Sequence, residues 1–514
     1  MVIVLGAQAA WSIATTSASF DETRYLSMAR DAYHDRTVEG LAEKGVAPLP
    51  VFLEYAIPTI APTEFVTSIT IARAATVLLV GMPLIALVYA WLAREAGAHA
   101  GLAAAALLAL SPNIVANVAI ATTDAAFILA ALFALIALTA WLDAPSPRTF
   151  AMLAAGVAAA TATKYSAVGL FAVIPIAYLA IRFRTAHRSA TVWQCIPTAA
   201  VVTAALLAIT FVVLWTIHGF GFATANVPGA GWRRLPAPLA GLAFQITHQR
   251  GGHFAYLLGQ LSATGWWYYM PVALAIKSSP AELVVMALGF GALARGWPRW
   301  STSALVWRVA FFVYGALAIV NRIDSGIRYV LVLVPLLVLI AFEYWFRWRA
   351  PRSRALGFGV AALVLGQAAS SLMVGPHYLS YFNVFVGGPS NGYRYLVDSN
   401  IDWGQDLPAL RAAFERLGAT RPLLSYFGSA PLAAYGISGF EWTQGPLPAD
   451  ARFDWIAIST TYLNGAYIGH DPFVDFRSIA PSDRAGYSIF LYDMRRREVQ
   501  EALASAVART TGPA

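Results

Sequence analysis

Long apolar runs separated by short polar stretches fill the first three quarters of the chain. Eleven of these runs approach or exceed the length that an α-helix needs to cross a bilayer. They predict spans at 2–18, 66–93, 100–121, 125–142, 149–163, 165–181, 194–217, 281–294, 304–320, 329–346 and 355–374. The pattern therefore predicts an all-α polytopic membrane protein.

The polar stretch after the first run continues into an amphipathic segment. Over residues 25–33 apolar side chains recur at helical spacing, and Arg24, Arg30 and Asp31 lie on the opposite face. This pattern predicts a helix that lies on the membrane surface. Ser19 and Glu22, three residues apart, fit a capping box at its start.

The pattern changes near residue 377, where charged residues and prolines become frequent. Strand-like runs occur at 422–427, 455–459 and 487–492, and a helical pattern occurs at 406–417. We predict a transmembrane domain at 1–376 and a small water-exposed α/β domain at 377–514. The connection 218–280 is predicted to be functional, because connections of that length are uncommon.

Composition supports the membrane assignment. The chain of 514 residues is 58% hydrophobic and only 12% charged, whereas about 25% charged is usual for soluble proteins. Arg94, Arg148, Arg182 and Arg347 fall in alternate loops. By the positive-inside rule these loops are cytoplasmic, which predicts a cytoplasmic N-terminus and a C-terminal domain on the outer side of the membrane. The single cysteine, Cys195, excludes an internal disulfide, and no aromatic-rich basic patch indicates nucleic-acid binding.

Lysine is scarce, and its placement is informative. The net charge is +8, yet only Lys44, Lys164 and Lys277 are lysines, and all three fall on the predicted outer side. A GC-rich genome would explain the scarcity but not the placement. Cations at this surface suit a lipid phosphate, although Lys164 could also simply extend toward lipid headgroups.

The strongest candidates for chemistry are Asp21 and Glu22, which directly follow the first span with Arg24 close by. Ionisable residues at such a place are costly and indicate function. A carboxylate there could take the proton of an acceptor hydroxyl during sugar transfer. The structural alternative is that Glu22 completes the capping box and Asp21 complements the helix dipole.

Other polar residues stand at span ends. Asp124 opens the fourth span, where an aspartate is also a common helix cap. Lys164 with Tyr165, Lys277 after Tyr269, and Arg328 with Tyr329 occupy similar places. Arginine can bind a phosphate bidentately and lysine binds it as a point charge.

Two further groups have weaker signals. Asp398, Asp402 and Asp406 superficially resemble a calcium loop, but the stretch lacks the glycine and the distal glutamate of such loops. We predict instead a turn that caps the helix at 406. His248 and His253 could form a metal pair, although solvated loop histidines are more common.

In this order the motifs resemble the lipid-carrier-dependent glycosyltransferases of family 39, which include the protein O-mannosyltransferases and the aminoarabinose transferase of lipid A. The resemblance covers nearly the whole chain and rests on 20–25, 48–50 with Tyr55, Asp124, 163–165, 256–277, 328–335 and 383–406. One departure concerns the lysine that often directly precedes the two prolines. Here Ala47 holds that place, and Lys44 stands three residues earlier.

The resemblance implies a GT-C fold in a bacterial inner membrane, a periplasmic C-terminal domain, and a hexose or pentose carried on a polyprenyl phosphate such as undecaprenyl phosphate. Asp21 would be the base, and Glu22, also catalytic, would shape the acceptor site together with Asp124. The residues expected to bind substrate are Arg24, Lys44, Asp124, Lys164, Tyr165, Tyr269, Lys277, Arg328 and Tyr329. Cations that neutralise the leaving phosphate make a metal or another cofactor unnecessary, so we predict metal-independent, inverting transfer to a lipid, glycan or protein acceptor.

Other classes of function stay open at this stage. A transporter or flippase of a lipid-linked sugar would place charges at mid-membrane. Arg73 and Arg308, nearer to span interiors, favour that alternative, whereas the charges at span ends favour the enzyme. A scaffold whose tail binds a partner would not need Asp21. A membrane acyltransferase would need a histidine–aspartate pair near a span, and the sequence offers none.

Overall fold

The structure is a computed structural model that describes residues 1–511 except 35–36, 62, 186–192, 294, 296–299, 350–353 and 449. It is mostly helical. Its α-helices are Val2–Thr15, Phe20–His34, Glu39–Glu43, Pro48–Glu54, Ala56–Ile60, Phe65–Thr76, Met82–Ala96, Ala98–Ala109, Pro112–Val118, Thr123–Asp143, Pro147–Thr163, Leu170–Thr185, Ile196–Ile217, Ala237–Gly251, Tyr269–Lys277, Pro280–Leu293, Thr302–Val320, Leu333–Tyr344, Arg354–Val374, Leu407–Leu417, Thr460–Leu463 and Arg497–Thr511.

All eleven predicted spans contain helix, but not all are simple spans. Within the described residues, six helices are long and apolar enough to cross a membrane: Phe65–Ala96, Thr123–Asp143, Tyr165–Arg184, Ile196–Ile217, Thr302–Val320 and Arg354–Val374. Two bent pairs raise this number to eight if each pair is one span. The chain is thus a multi-pass membrane protein, and the predicted number of eleven spans stays a prediction.

The bend after the first helix sets up the candidate site. Helices Val2–Thr15 and Phe20–His34 meet at 90°. The second helix confirms the predicted amphipathic segment, but its apolar face does not lie on lipid. Leu26 and Ala29 are buried in a core cluster that also contains Leu410 and Ala413 of the C-terminal part. The C-terminal part therefore covers this helix.

Helices Thr123–Asp143 and Pro147–Thr163 form a tightly packed pair joined by a short loop. A Cβ added at Gly156 would lie 2.9 Å from Cα of Ala134, so the glycine allows the close approach. Since the pair is joined by a short loop, the start of the first helix lies beside the end of the second. Asp124 and Lys164 are brought together in this way.

The connection 218–280 is built from two hairpins and two helices. Strands β1 (Phe222–Val227) and β2 (Gly231–Pro236) pair antiparallel, as do β3 (Ala255–Leu257) and β4 (Gln260–Ser262). Helix Ala237–Gly251 lies between the hairpins, and the last helix of the segment ends at Lys277. The segment contacts the loop of Asp324 through the amide of Trp266.

The predicted α/β character of the tail is confirmed. A five-stranded sheet has the order β6-β5-β7-β9-β8. Its strands are β5 Pro422–Ser425, β6 Phe440–Glu441, β7 Trp455–Ser459, β8 Asp483–Ala485 and β9 Ile489–Asp493. Strand β5 runs parallel to β6 and β7, whereas β9 runs antiparallel to β7 and β8. Helix Leu407–Leu417 precedes the sheet, close to the predicted 406–417. The domain boundary at 376/377 stays a prediction.

Candidate functional site

Asp21 lies in the first turn of the helix that follows the 90° bend. The C-terminal part holds this bend through its backbone: Phe20 N donates to Trp403 O at 2.9 Å, and Ser17 N donates to Gln405 O at 2.8 Å. The Asp21 side chain keeps 22% of its surface exposed. The carboxylate is therefore both fixed in position and reachable.

Glu22 has a different environment from its neighbour, since it is fully buried and paired with Arg73. Nε and Nη2 of Arg73 donate to the two carboxylate oxygens of Glu22, each at 2.7 Å. The amides of Ser19 and Ala121 donate to the same carboxylate at 2.7 and 2.9 Å. Four donors leave it no room to accept a proton from a substrate. These contacts favour a structural role for Glu22, and its catalytic role stays a prediction from the sequence.

The contact between Ser19 and Glu22 confirms only half of the predicted capping box. Glu22 accepts from the Ser19 amide, but among the described residues the Ser19 hydroxyl has no partner. Glu22 thus links the bend, the helix Phe65–Thr76 and the start of the fourth predicted span. These contacts fix the helix turn that carries Asp21.

Asp124 and Lys164 form the second part of the site. Nζ of Lys164 lies 2.5 Å from Oδ1 of Asp124, and the Asp124 side chain is almost completely buried. Asp124 also accepts a hydrogen bond from the hydroxyl of Thr122 at 3.4 Å. Its carboxylate thus binds a lysine from the neighbouring helix in addition to this local contact, and Lys164 is not simply extended toward headgroups.

Arg328 joins the two parts. Its Nη1 donates to Asp21 Oδ2 at 3.0 Å and lies 3.5 Å from Asp124 Oδ2. Its Cζ lies 4.2 Å from the ring centroid of Trp403 and 5.0 Å from that of Tyr329. Burial opposes the charge of Arg328, but the nearby Tyr329, Asp21 and Asp124 outweigh burial and raise its pKa. We call Asp21, Arg328, Asp124 and Lys164 the charged cluster.

The loop that carries Arg328 is held from two sides. Ser399 Oγ donates to Ser325 O at 2.6 Å, and Ile327 N donates to Asn400 Oδ1 at 3.1 Å. On the other side Trp266 N donates to the buried carboxylate of Asp324 at 2.7 Å. Burial raises the pKa of Asp324 to about 6. The long connection and the C-terminal part together position this arginine.

Gly265 makes the second of these contacts possible. Its φ is +72°, and a Cβ there would lie 2.3 Å from Asp324 Oδ2. A side chain at residue 265 would therefore be strained and would also push Asp324 away. Only glycine fits here.

Several predicted substrate-binding residues lie around the cluster. The ring of Tyr329 is 4.7 Å from Nζ of Lys164, so it contacts both cations of the cluster. Tyr269 is buried and its hydroxyl accepts from Asn400 Nδ2 at 2.9 Å. Tyr165 is buried too, and among the described residues its hydroxyl has no partner. Tyr329 therefore contacts the charged cluster, and Tyr269 holds the Asn400 side chain that binds the loop of Arg328.

Lys277, which is predicted to bind substrate, makes its contacts outside the charged cluster. Its ammonium donates to the carbonyls of Leu379 at 2.7 Å and Asn400 at 2.5 Å, and it lies over the ring of Phe382. The residue is 1% exposed, and burial lowers its pKa well below the usual range. A cation whose donors bind backbone carbonyls is not available to a phosphate.

Arg24 and Lys44 are also not brought into the cluster. Both are exposed, and Arg24 lies over the ring of Phe20, 4.8 Å from its centroid. No contact made by the described residues joins either of them to Arg328 or Asp124. In the structure the side chains of Arg24 and Lys44 are therefore exposed and are not paired with the charged cluster.

Some functional neighbours were missed from the sequence. Trp403 stacks on Arg328 and its carbonyl accepts from Phe20, so it fixes the guanidinium relative to Asp21. Tyr467 donates to Asp398 at 2.5 Å and contacts Nδ1 of His253 at 2.9 Å. Asp398 and Tyr467 both have positive φ, 57° and 63°, which is unusual for residues with side chains. In the sequence, the only sign of this region was the cluster of Asp398, Asp402 and Asp406.

Asp406 is the N-cap residue of a helix, as predicted, but its side chain does not bind the helix amides. Asp406 precedes helix Leu407–Leu417, but its carboxylate accepts from Ser488 Oγ at 2.8 Å and contacts His377 Nδ1 at 3.0 Å. The amide of Leu407 at the start of the helix donates to Ser17 Oγ instead.

The two histidines that were considered as a metal pair, His248 and His253, lie with their ring centroids 5.5 Å apart. Among the described residues no three His, Cys, Asp or Glu side chains are grouped to hold a metal.

Asp402 gives a prediction for stability against pH. It is buried, accepts from Thr461 N at 2.9 Å, and burial raises its pKa to about 8. An aspartate in an unfolded chain has a pKa of about 4. The native state therefore holds a proton that the unfolded state loses, and stability falls as pH rises from about 4 to 8. We expect Asp402→Asn to flatten this fall in the thermal midpoint measured in detergent; an unchanged slope would contradict this account.

An apolar groove of about 620 Å³ lies against helix Pro147–Thr163. It is lined by Leu49, Phe150, Ala151, Ala154, Ala155, Ala158, Ala159, Ala162, Ile209, Val213 and Ile217. The alanines follow one face of helix Pro147–Thr163 for roughly 16 Å, and this helix is followed directly by Lys164. Its residue Ala162 is thus two positions before a cation of the charged cluster, Lys164.

The arginines that favoured a transporter have structural partners. Arg73 is bound to Glu22, as described above. Arg308 donates to the backbone carbonyls of Ala292 at 2.9 Å and Ala304 at 2.7 Å. Both are satisfied within the protein, so neither is a free charge on a transport path.

Comparisons with known proteins agree with this fold. A sequence model of the family described as dolichyl-phosphate-mannose-protein mannosyltransferase matches residues 65–222. The crystal structure of ArnT from Cupriavidus metallidurans bound to undecaprenyl phosphate is similar over 100% of this chain and 99% of that chain, with a TM-score of 0.50 and 12% identity. No curated protein matches the sequence. These findings confirm the resemblance to GT-C glycosyltransferases that the sequence predicted.

Proposed function

From this GT-C fold we propose that the protein transfers a hexose or pentose from a polyprenyl phosphate, such as undecaprenyl phosphate, to an acceptor hydroxyl with inversion. The observation that carries the proposal is the charged cluster. A reachable carboxylate, Asp21, lies 3.0 Å from a partly buried arginine, Arg328, that also neighbours the Asp124–Lys164 pair. Four residues that are far apart in sequence converge on one place.

The cations suit the leaving group. As the bond between the sugar C1 and the phosphate oxygen breaks, negative charge develops on the phosphate. Arg328 can donate two parallel hydrogen bonds, and Lys164 adds a point charge. Fixed cations placed where charge develops stabilise the transition state. We expect a chelator such as EDTA to leave the rate unchanged.

Asp21 suits the role of base. Its carboxylate takes the proton of the acceptor hydroxyl while the acceptor oxygen forms its bond to the sugar C1 from the face opposite the phosphate. The electron pair of the broken bond stays on the phosphate oxygen. The products are the glycosylated acceptor and the polyprenyl phosphate, and a single displacement inverts the anomeric centre.

The groove suits the lipid carrier. It is apolar, it follows helix Pro147–Thr163, and its residue Ala162 is two positions before Lys164. A polyprenyl chain lying there would bring its phosphate to the charged cluster. With the N-terminus in the cytoplasm, as the arginine distribution predicts, the reaction takes place on the periplasmic face of the inner membrane.

The test is sugar transfer from a radiolabelled polyprenyl-phosphate sugar by the purified protein in detergent, with a lipid extract as acceptor. We expect transfer by the wild type and a large loss in Lys164→Ala. Equal rates in both would remove the proposed role of the cluster. Uptake of the intact labelled lipid-linked sugar into liposomes without transfer would favour the transporter.

The groove gives a further prediction. Ala155 is exposed within it, and Ala155→Trp would fill space that the lipid chain needs. We expect the KM for a long-chain donor to rise by about tenfold with little change in kcat, because binding that is common to ground and transition states is lost. Leu102→Trp, on an exposed helix face outside the groove, is the matched control. A KM equal to that of the control would contradict the assignment.

A further inference from the structure

Resting on the proposed function, we infer that Asp21 has a second role: its carboxylate competes with the lipid phosphate for Arg328 and so helps to release the polyprenyl phosphate product. The contact that points to this role is the hydrogen bond of 3.0 Å between Arg328 Nη1 and Asp21 Oδ2. The same carboxylate that serves as the base is thus bound to the cation that serves the leaving group.

The phosphate and Asp21 bind the same guanidinium group. Nη1 of Arg328 is shared between Asp21 and Asp124, and Nη2 makes a longer contact of 3.4 Å with the hydroxyl of Tyr329. Among the described residues the buried Nε of Arg328 has no partner. A phosphate that binds this guanidinium bidentately must therefore replace a carboxylate at Nη1 or take Nε and Nη2 beside it.

Of the two carboxylates, Asp21 is the one that can leave. Asp124 is buried and held by Lys164 and Thr122. The Asp21 side chain is 22% exposed, and within the described part of the chain its hydrogen bond is to Arg328 alone. A rotation about its own side-chain bonds frees it without moving the backbone. Donor binding thereby releases the base at the time when the acceptor needs it.

The charge of the phosphate explains why release needs help. The donor is a phosphodiester with one negative charge, whereas the product is a monoester with a charge of about −1.5 to −2 at pH 7. Cations that stabilise the leaving group therefore hold the product more strongly than the donor. After transfer Asp21 carries the acceptor proton, loses it to water through its exposed side, and as a carboxylate again pairs with Arg328.

The experiment measures the equilibrium affinity for undecaprenyl phosphate in detergent, by isothermal titration calorimetry on the full-length protein. We expect Asp21→Asn to bind this product about tenfold more tightly than the wild type, because a close competing charge has been removed. Asp31→Asn, an exposed carboxylate on the same helix, is the matched control and should bind like the wild type. Unchanged or weaker binding by Asp21→Asn would overturn the inference.

A double-mutant cycle separates competition for Arg328 from general repulsion. In an Arg328→Gln background the gain from Asp21→Asn should disappear, since the shared donor is gone. A gain of the same size in that background would show through-space repulsion and overturn the inference, while the proposed function would stand. Absence of binding by the wild type and by both single variants would overturn the proposed function itself.

Discussion

Asp21→Asn is expected to lower the rate of sugar transfer by about 10³-fold, which is within the usual range for a lost general base. The amide keeps the shape of the side chain but cannot take the acceptor proton. The measurement is the initial rate of transfer from the labelled polyprenyl-phosphate sugar at saturating donor. A variant that keeps a tenth or more of the wild-type rate would show that Asp21 is not the base.

Asp31→Asn is the control for this experiment. It removes an exposed carboxylate from the same helix, and we expect wild-type rates from it. Loss of activity in both variants would point to the net charge of this surface and not to a base at Asp21. Equal elution profiles on size exclusion would confirm that both variants are folded.

Arg73→Met is expected to have the largest effect on stability. It leaves the carboxylate of Glu22 buried without its bidentate partner, and removing one partner of a buried ion pair costs about 3–5 kcal/mol. Arg73 is 1% exposed and Glu22 is 0% exposed. We therefore expect a much lower thermal midpoint in detergent, followed by intrinsic fluorescence.

Two further variants test whether the loss of stability in Arg73→Met comes from the unpaired buried charge. The double variant Glu22→Gln with Arg73→Met removes both charges and should recover part of the loss. The exposed pair of Arg411 and Glu415, 56% and 64% exposed, is the control, and Arg411→Met should cost about 0–1 kcal/mol. Equal midpoints for Arg73→Met and Arg411→Met would contradict the structural role assigned to Glu22.

Much of the site could be predicted from the sequence because ionisable residues at the ends of apolar runs are costly and few. Asp21, Asp124, Lys164 and Arg328 stood out in this way, and the predicted orientation placed all four on one side. The structure brings them into contact. The same reasoning predicted the helices and the strands of the C-terminal sheet, since both follow from local periodicity.

Pairing between distant residues could not be read from the pattern. The arginine inside the apolar run 66–93 favoured a transporter, but in the structure it pairs with Glu22, which lies 51 residues away and meets it only through the packing of the helices. Lys277 resembled Lys164 in sequence, yet it points to backbone carbonyls. Trp403 had no charge and no periodicity to mark it, although it stacks on Arg328.

The most direct test of the charged cluster is a cryo-EM structure of the protein with undecaprenyl phosphate bound. The account predicts the phosphate within hydrogen-bond distance of both Arg328 and Lys164, the contact between Arg328 and Asp21 broken, and the lipid chain in the groove along Ala155. A phosphate bound elsewhere, with Asp21 still paired to Arg328, would contradict it.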